Sequence, residues 1–358
     1  MSNKKKSKSY ETLGVPSEEI SNISSIERIK TKRKTAINMV DLVSGILKQD
    51  ITALSRAITL IESRNPKHLQ QANTIINNCL PHANKSIRIG ITGVPGVGKS
   101  TFIEVFGKYL TSVGKRVAVL AIDPSSSITK GSILGDKTRM EDLVKDQNAF
   151  IRPSASGENL GGVARKTRES VILCEAAGFD VIIIETVGVG QSETTVHSMV
   201  DFFLLLKLAG AGDDLQGIKR GIIEMADAIA INKADGDNYK SAKLAQVEFN
   251  RALHLYPKKP SNWQPKVSIC SAINNTGIEA IWAQILAYWE ITSKNNYFNA
   301  KRIEQNKNWL IQTIEGQLKA NFFNKTQVKK ELENQLELIE NNKTSPFTAA
   351  DYLLSLKF

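Results

Sequence analysis

The chain has 358 residues, 41% of them hydrophobic, which is enough for one large domain with appendages or for two domains. Its three cysteines, Cys79, Cys174 and Cys270, stand far apart and read as free thiols, excluding a disulfide framework and a paired-cysteine zinc site. The formal net charge is +11, yet no apolar run approaches the ~20 residues of a membrane helix and no aromatic–basic alternation accompanies the charge, so neither a membrane nor nucleic acid is an expected partner.

Nine basic and four acidic residues fall within the first 34, so a large part of the charge excess sits in one basic head, expected to be disordered over residues 1–35. The opening MSNKKKSKSYETLG has no apolar segment behind its lysines, and Glu11, Glu18 and Glu19 precede the first arginine, Arg28. That is unlike a secretory signal or a mitochondrial presequence, and a cytoplasmic protein is expected. Residues 36–86 read as a helical region. Ile51, Leu54, Ile58 and Ile61 recur at helical spacing behind a capping Asp50, and Asn65-Pro66 breaks that helix. Leu69, Ala72 and Ile76 then mark a second helix, ended by Pro81.

From Ser86 the texture changes. IRIGIT, VAVLAI, VIIIE, FFLLLKL, AIAI and VSIC are continuous apolar runs separated by helical stretches, the pattern of a parallel sheet covered on both faces. An α/β domain with a mostly parallel, doubly wound sheet is expected over residues 87–293. Its first run leads into GVPGVGKST: Gly93, Val94, Pro95, Gly96, Val97, Gly98, Lys99, Ser100 and Thr101. This is the phosphate-binding loop pattern. Glycines let backbone N–H groups turn around the phosphates, Lys99 brings a point charge to the β/γ oxygens, and the Ser100 hydroxyl can ligate Mg²⁺.

Further acids face the same place. Asp123 ends the second run, Asp136 lies on the Gly-flanked GSILGDKTRM, and Glu185 ends VIIIE three residues before Gly188. With Ser100 they supply the hard oxygens that a Mg²⁺ retaining several waters would need. Many GTPases place Asp-x-x-Gly there, the glycine N–H sensing the γ-phosphate. Here the acid is a glutamate, one methylene longer.

Between FFLLLKL and AIAI runs LAGAGDDLQGIKRGIIEMAD, a connection far longer than the strands require. Gly210, Gly212, Gly217 and Gly221 permit more than one backbone arrangement, and Asp213 and Asp214 can pair with Lys219 or Arg220 in one arrangement and release them in another. Lys219 is the expected stimulating cation. Next comes NKAD: Asn232, Lys233, Ala234 and Asp235. The Asp235 carboxylate can accept from guanine N1–H and the exocyclic amine, two donors that adenine does not present. The Lys233 stem can lie along the base, and Asn232 can tie this loop to the phosphate loop. Ser271, Ala272 and Ile273 close the last strand, where backbone N–H groups can meet the guanine oxygen. GTP is therefore expected over ATP.

After residue 293 the strands stop. Leu310, Ile314 and Leu318 mark one helix, and Val328, Leu332, Leu336 and Ile339 a second, with NKT as the turn and Thr326 as cap. The hairpin over 294–358 has an apolar stripe and little chain left to cover it. Either a partner subunit covers it or it folds back on the chain's own core.

Taken in order, GVPGVGKST, AIDPSSSITKGSILGDKTRM, RPSASGENLGGVA, IIIETVGVGQSE, the long loop and NKAD resemble the MeaB-like GTPases, the methylmalonyl-CoA mutase-associated family long labelled arginine/ornithine transport kinases. RAITLIESRNP and SPFTAADYLL look like that family's flanking helices, while the lysine head does not match. The resemblance implies a homodimeric P-loop GTPase of the signal-recognition and metallochaperone class. It would act as chaperone for an adenosylcobalamin-dependent acyl-CoA mutase, gating cofactor loading and protecting the enzyme. Asp123, Asp136 and Glu185 would serve metal and catalysis, and the long loop would be the switch that couples nucleotide to mutase. No D-x-H-x-x-G cobalamin pattern is present, which puts the corrinoid on the partner. Competing readings are an ATPase or kinase energising basic amino-acid transport, which NKAD opposes, and a nickel or cobalt metallochaperone GTPase, which would want a His-rich tract or paired cysteines.

Overall fold

The computed structural model describes residues 38–63, 65–122, 140–153, 160–186, 192–209 and 220–356. Three helices come first: α1 (Met39–Leu47), α2 (Ile51–Glu62) and α3 (Pro66–Cys79). Asp50 Oδ1 accepts from Thr52 N at 2.8 Å and caps α2. Asn65 Oδ1 does the same for Lys67 N at 3.1 Å, and Pro66 occupies the first turn of α3, where its missing N–H leaves no bond unmade. Leu54, Ile58 and Ile61 are buried, while Ile51 stays at the surface. On α3 the buried face is turned from the expected one: Ala72 and Ile75 are inside and Leu69 is outside.

The domain that follows is β1 (Ile87–Gly93), α4 (Lys99–Ser112), β2 (Val117–Ile122), α5 (Glu141–Val144), β3 (Ala149–Arg152), α6 (Leu160–Ala176), β4 (Val181–Thr186), α7 (Glu193–His197), β5 (Phe202–Leu208), α8 (Arg220–Met225), β6 (Ala228–Asn232), α9 (Asn238–His254), β7 (Lys266–Ile269) and α10 (Ile278–Lys294). The seven strands form one sheet in the order β3-β2-β4-β1-β5-β6-β7, and every described pairing is parallel. All strands therefore end on one edge, and β1 lies between β4 and β5, flanked by the strands that carry Glu185 and the long loop. Each residue of β2 and β4 is buried, as a sheet covered on both faces requires. One face packs under α6 with α1, α2 and α3 layered over it. The other packs under α4 and α10, where Phe106 meets Trp282 edge-on at 6.2 Å.

The opposite, N-terminal edge of the sheet holds a buried ion network. Arg302 lies on α11 (Tyr297–Phe323), donates to both carboxylate oxygens of Asp201 at 2.9 and 2.6 Å, and also reaches the carbonyls of Asn84 and Ser86. Asp201 also accepts from Arg88 N at 2.8 Å, and the Arg88 guanidinium pairs with Glu175. Lys301 Nζ donates to Asp201 O at 2.8 Å. These bonds fix the start of α11 to the sheet.

Beyond that anchor, α11 runs on to α12 (Thr326–Glu340) and α13 (Pro346–Ser355). Thr326 is the first residue of α12 and not its cap; Lys325 holds the cap position, and its side chain does not cap the helix. Val328 is fully buried, but Leu310, Ile314, Leu318 and Leu336 are exposed. Leu318, Phe322, Leu332, Leu336, Ile339 and Leu353 line an apolar cleft of about 740 Å³. Among the described residues, no helix is long and apolar enough to cross a membrane.

Candidate functional site: a phosphate loop and two base loops on one sheet edge

The end of β1 runs into the glycine loop, and α4 begins at Lys99. Gly96 (φ 83°) and Gly98 (φ 88°) both hold left-handed backbone, open to glycine at no steric cost. A side-chain carbon on Gly98 would also lie 3.1 Å from Asn232 Nδ2. Val97 is buried beneath the loop, whereas Pro95, Gly96 and Thr101 are exposed. The loop is thus pinned from below and open above, with the start of a fourteen-residue helix aimed at it.

Lys99 Nζ donates to Gly93 O at 2.7 Å and Val94 O at 3.3 Å. Burial pushes its ammonium below the usual lysine value, and the fields of Glu185 and Glu193 push back. Ser100 Oγ donates to Glu185 Oε1 at 3.2 Å. A hydroxyl and a carboxylate this close are two hard oxygen donors of the type Mg²⁺ takes, so the residues present fit the ion. Beneath them, Thr186 Oγ1 donates to Thr92 Oγ1 at 2.8 Å, a buried bond that joins the ends of β4 and β1 and fixes the spacing of Glu185 from the loop. No motif signals that threonine pair. Asp123, Asp136, Gly188 and Lys219 lie outside the described residues.

The base side is assembled around Asn232. Its Nδ2 donates to Val97 O at 2.9 Å, and its Oδ1 accepts from Ala272 N at 3.3 Å and faces Cys270 Sγ at 3.6 Å. One buried amide thereby joins the phosphate loop, the end of β6 and the loop after β7. Ala234 N donates to Cys270 O at 3.0 Å, holding the two base loops together. Lys233 is exposed with φ 57°, a strained value for a non-glycine residue, and Asn238 Nδ2 bonds its carbonyl. Ser271 Oγ donates to Asp235 and accepts from Asn274 N, so a serine orients the carboxylate. Ile273 is 77% exposed at the rim of this loop.

The three thiols lie away from solvent, and burial lifts Cys79 to about 11 and Cys270 to about 12. Neither is a thiolate near neutral pH, and no group of three or more metal-binding side chains occurs among the described residues.

A parallel sheet that brings a G-x-x-x-x-G-K-[ST] loop, an N-K-x-D loop and a following serine loop to one edge defines a P-loop GTPase. The sequence profile described as "Methylmalonyl Co-A mutase-associated GTPase MeaB" matches residues 54–327, and the chain belongs to that family. Among its relatives, GTPase ArgK of Escherichia coli (strain K12) is 45% identical over 315 residues, covering 87% of this chain and 95% of that one. A protein of Mus musculus named methylmalonic aciduria type A homolog, mitochondrial, is 42% identical over 323 residues, covering 87% and 78%. The crystal structure of a LAO/AO transport system kinase superposes with a TM-score of 0.71 at 37% identity, over 89% of this chain and 98% of that one.

Proposed function

We propose that this GTPase serves as the chaperone of an adenosylcobalamin-dependent acyl-CoA mutase of the methylmalonyl-CoA type, gating cofactor loading and protecting the mutase. The observation that carries the reading is the family match, which spans residues 54–327 and is described as mutase-associated. The name of the mouse relative points the same way. Adenosylcobalamin belongs to the mutase in this reading, and the protein works in the cytoplasm as a homodimer.

At the site, Gly93–Thr101 wraps the phosphates, with Lys99 on the β/γ oxygens. Ser100, Asp123, Asp136 and Glu185 hold Mg²⁺, which when bound supplies charge neutralisation of the phosphates. Gly188 senses the γ-phosphate. Asn232, Lys233, Ala234 and Asp235, with Ser271, Ala272 and Ile273, read the base. Lys219 is carried by the long loop to a stimulating position when the mutase binds.

The base reading has a direct test. Asp235→Asn replaces two acceptors by one acceptor and one donor, so preference shifts from GTP toward xanthosine triphosphate. Calorimetry on the wild type should show GTP bound well over ATP, and equal affinities contradict the assignment.

The homodimer is supported by the uncovered apolar side chains of α11 to α13. Truncation before α11 is a poor test, because it removes Arg302 and leaves Asp201 buried without it. Leu318→Glu with Leu336→Glu changes two exposed positions instead. By light scattering the wild type is dimeric and the double variant monomeric; a dimeric variant moves the interface elsewhere.

The names of two relatives, GTPase ArgK and LAO/AO transport system kinase, carry the competing transport-kinase reading. Incubation with γ-labelled GTP separates the two: the chaperone releases inorganic phosphate, and a kinase transfers label to an acceptor protein. Binding of candidate mutases to the protein loaded with a GTP analogue, compared with the GDP form, tests the partner.

A further inference from the structure

Arg168 on α6 is a buried cation bonded to neutral groups. It is 7% exposed, Nη1 donates to Gln312 Oε1 at 3.0 Å, and Nη2 donates to Ser198 Oγ at 2.9 Å. Its guanidinium lies over the Trp309 ring, 5.6 Å from the centroid. No carboxylate among the described residues pairs with it. The acids at this edge of the sheet are already taken: Glu175 by Arg88 at 2.9 Å and by Arg302 at 4.0 Å, and Asp201 by Arg302 at 2.6 Å. Taking a charge out of water is costly, and buried cations are as a rule paired. An arginine cannot escape that cost by giving up its proton, so the charge stays and calls for a partner.

The surroundings offer room for one. Arg168 lines a small cleft of about 50 Å³ together with Arg88, Ser198, Gln305 and Trp309. Its guanidinium has more N–H donors than its two printed bonds use. Gln305 Nε2 donates to Val200 O at 2.9 Å, while Gln305 Oε1 is buried with no hydrogen-bond partner among the described residues. The cleft thus combines spare cationic donors with one unmet acceptor. A single water needs roughly 10–15 Å³ of such space, so the cleft suits a group of a few heavy atoms and excludes a nucleotide.

We propose that this cleft binds a small carboxylate-type oxyanion, of formate or bicarbonate size, on the Arg168 guanidinium. A planar oxyanion matches the guanidinium fork, accepting from its N–H groups side by side. It supplies the countercharge that the fold does not, and a hydroxyl of the anion or a water beside it meets Gln305 Oε1. Ser198 directly follows α7, and Gln312 and Trp309 lie on α11. The occupant therefore sits where α6, the end of α7 and α11 meet, on the sheet edge opposite the phosphate loop.

The test melts wild type and Arg168→Gln while sodium formate, and in a second series sodium bicarbonate, replaces sodium chloride at constant ionic strength and fixed pH. Glutamine removes the charge and keeps hydrogen-bonding atoms. A ligand held only by the folded state stabilises it by mass action, so the wild type gains a few degrees in a rise that saturates with either anion, and Arg168→Gln shows no such rise. Should Arg168→Gln fail to fold, the proton NMR line of formate decides on the wild type alone, which broadens it saturably. A rise that does not saturate, a saturating rise shared by both proteins, or a formate line that the wild type leaves sharp overturns the proposal and leaves Arg168 satisfied by Gln312, Ser198 and Trp309.

Discussion

Lys99→Ala, Glu185→Ala and Asp136→Ala each reduce single-turnover hydrolysis of GTP by at least ~100-fold. Phosphoryl transfer asks little covalent chemistry of a protein and depends almost wholly on positioning and electrostatic stabilisation. Lys99 is the cation of the phosphate loop, already held at its mouth by Gly93 O and Val94 O. Glu185 accepts from Ser100 Oγ, and the Thr92–Thr186 bond fixes the strand end beneath it, so its carboxylate has little freedom to drift. Alanine at 185 removes that oxygen and leaves the serine hydroxyl unrestrained. Unchanged single-turnover hydrolysis in Glu185→Ala makes that acid structural.

Arg302→Ala destabilises the fold by about 3–5 kcal/mol, because removing one partner of a buried ion pair leaves the other charged and unsolvated. The Arg302 side chain is 8% exposed and that of Asp201 2%. Alanine also orphans the carbonyls of Asn84 and Ser86, which accept from the same guanidinium. The pH dependence of this loss has a definite sign. Burial alone would raise the Asp201 carboxyl, but the hydrogen bonds and charge of Arg302, with help from Arg88, bring it below its ordinary 3.8. A carboxylate depressed by folding stabilises the protein above its unfolded pKa, and that contribution is lost as pH falls through the folded value. In Arg302→Ala the Asp201 charge has lost its main partner, so the gap between wild type and variant narrows on acidification toward pH 3. Urea denaturation at neutral pH and near pH 3.5 measures both effects; a variant within 1 kcal/mol of wild type would make the network dispensable.

The elements that were legible in the sequence were those with a period or a motif. Six of the strands read as continuous apolar runs because both faces of the sheet are covered, and GVPGVGKST and NKAD carry their chemistry in fixed spacings. The strand that escaped, β3, is four residues at the sheet edge with one buried side chain, too short and too mixed for a period. On α3, the sequence period put Leu69 inside, but packing on α6 buries Ile75 instead. Long-range pairs leave no local trace: Arg302 and Asp201 stand 101 residues apart, and Thr92 and Thr186 stand 94 apart.

The same contrast separates the two ends of the molecule. The phosphate-loop edge is built from short motifs on strand ends, with Lys99, Glu185 and the base loops brought together there. The opposite edge is built from the Arg302 network, which ties α11, and with it the exposed apolar arm, to the starts of β1 and β5. The parallel sheet lies between them.

Steady-state phosphate release, measured for wild type and Lys219→Ala with and without a saturating adenosylcobalamin-dependent acyl-CoA mutase, tests the central claim most directly. An unassisted GTPase turns over on the order of 10⁻⁴ to 10⁻² s⁻¹, and a supplied cation can raise that by up to ~10³- to 10⁵-fold. The mutase is expected to accelerate GTP hydrolysis by the wild type, and Lys219→Ala to lose most of the acceleration. A wild-type rate that the mutase leaves unchanged contradicts it.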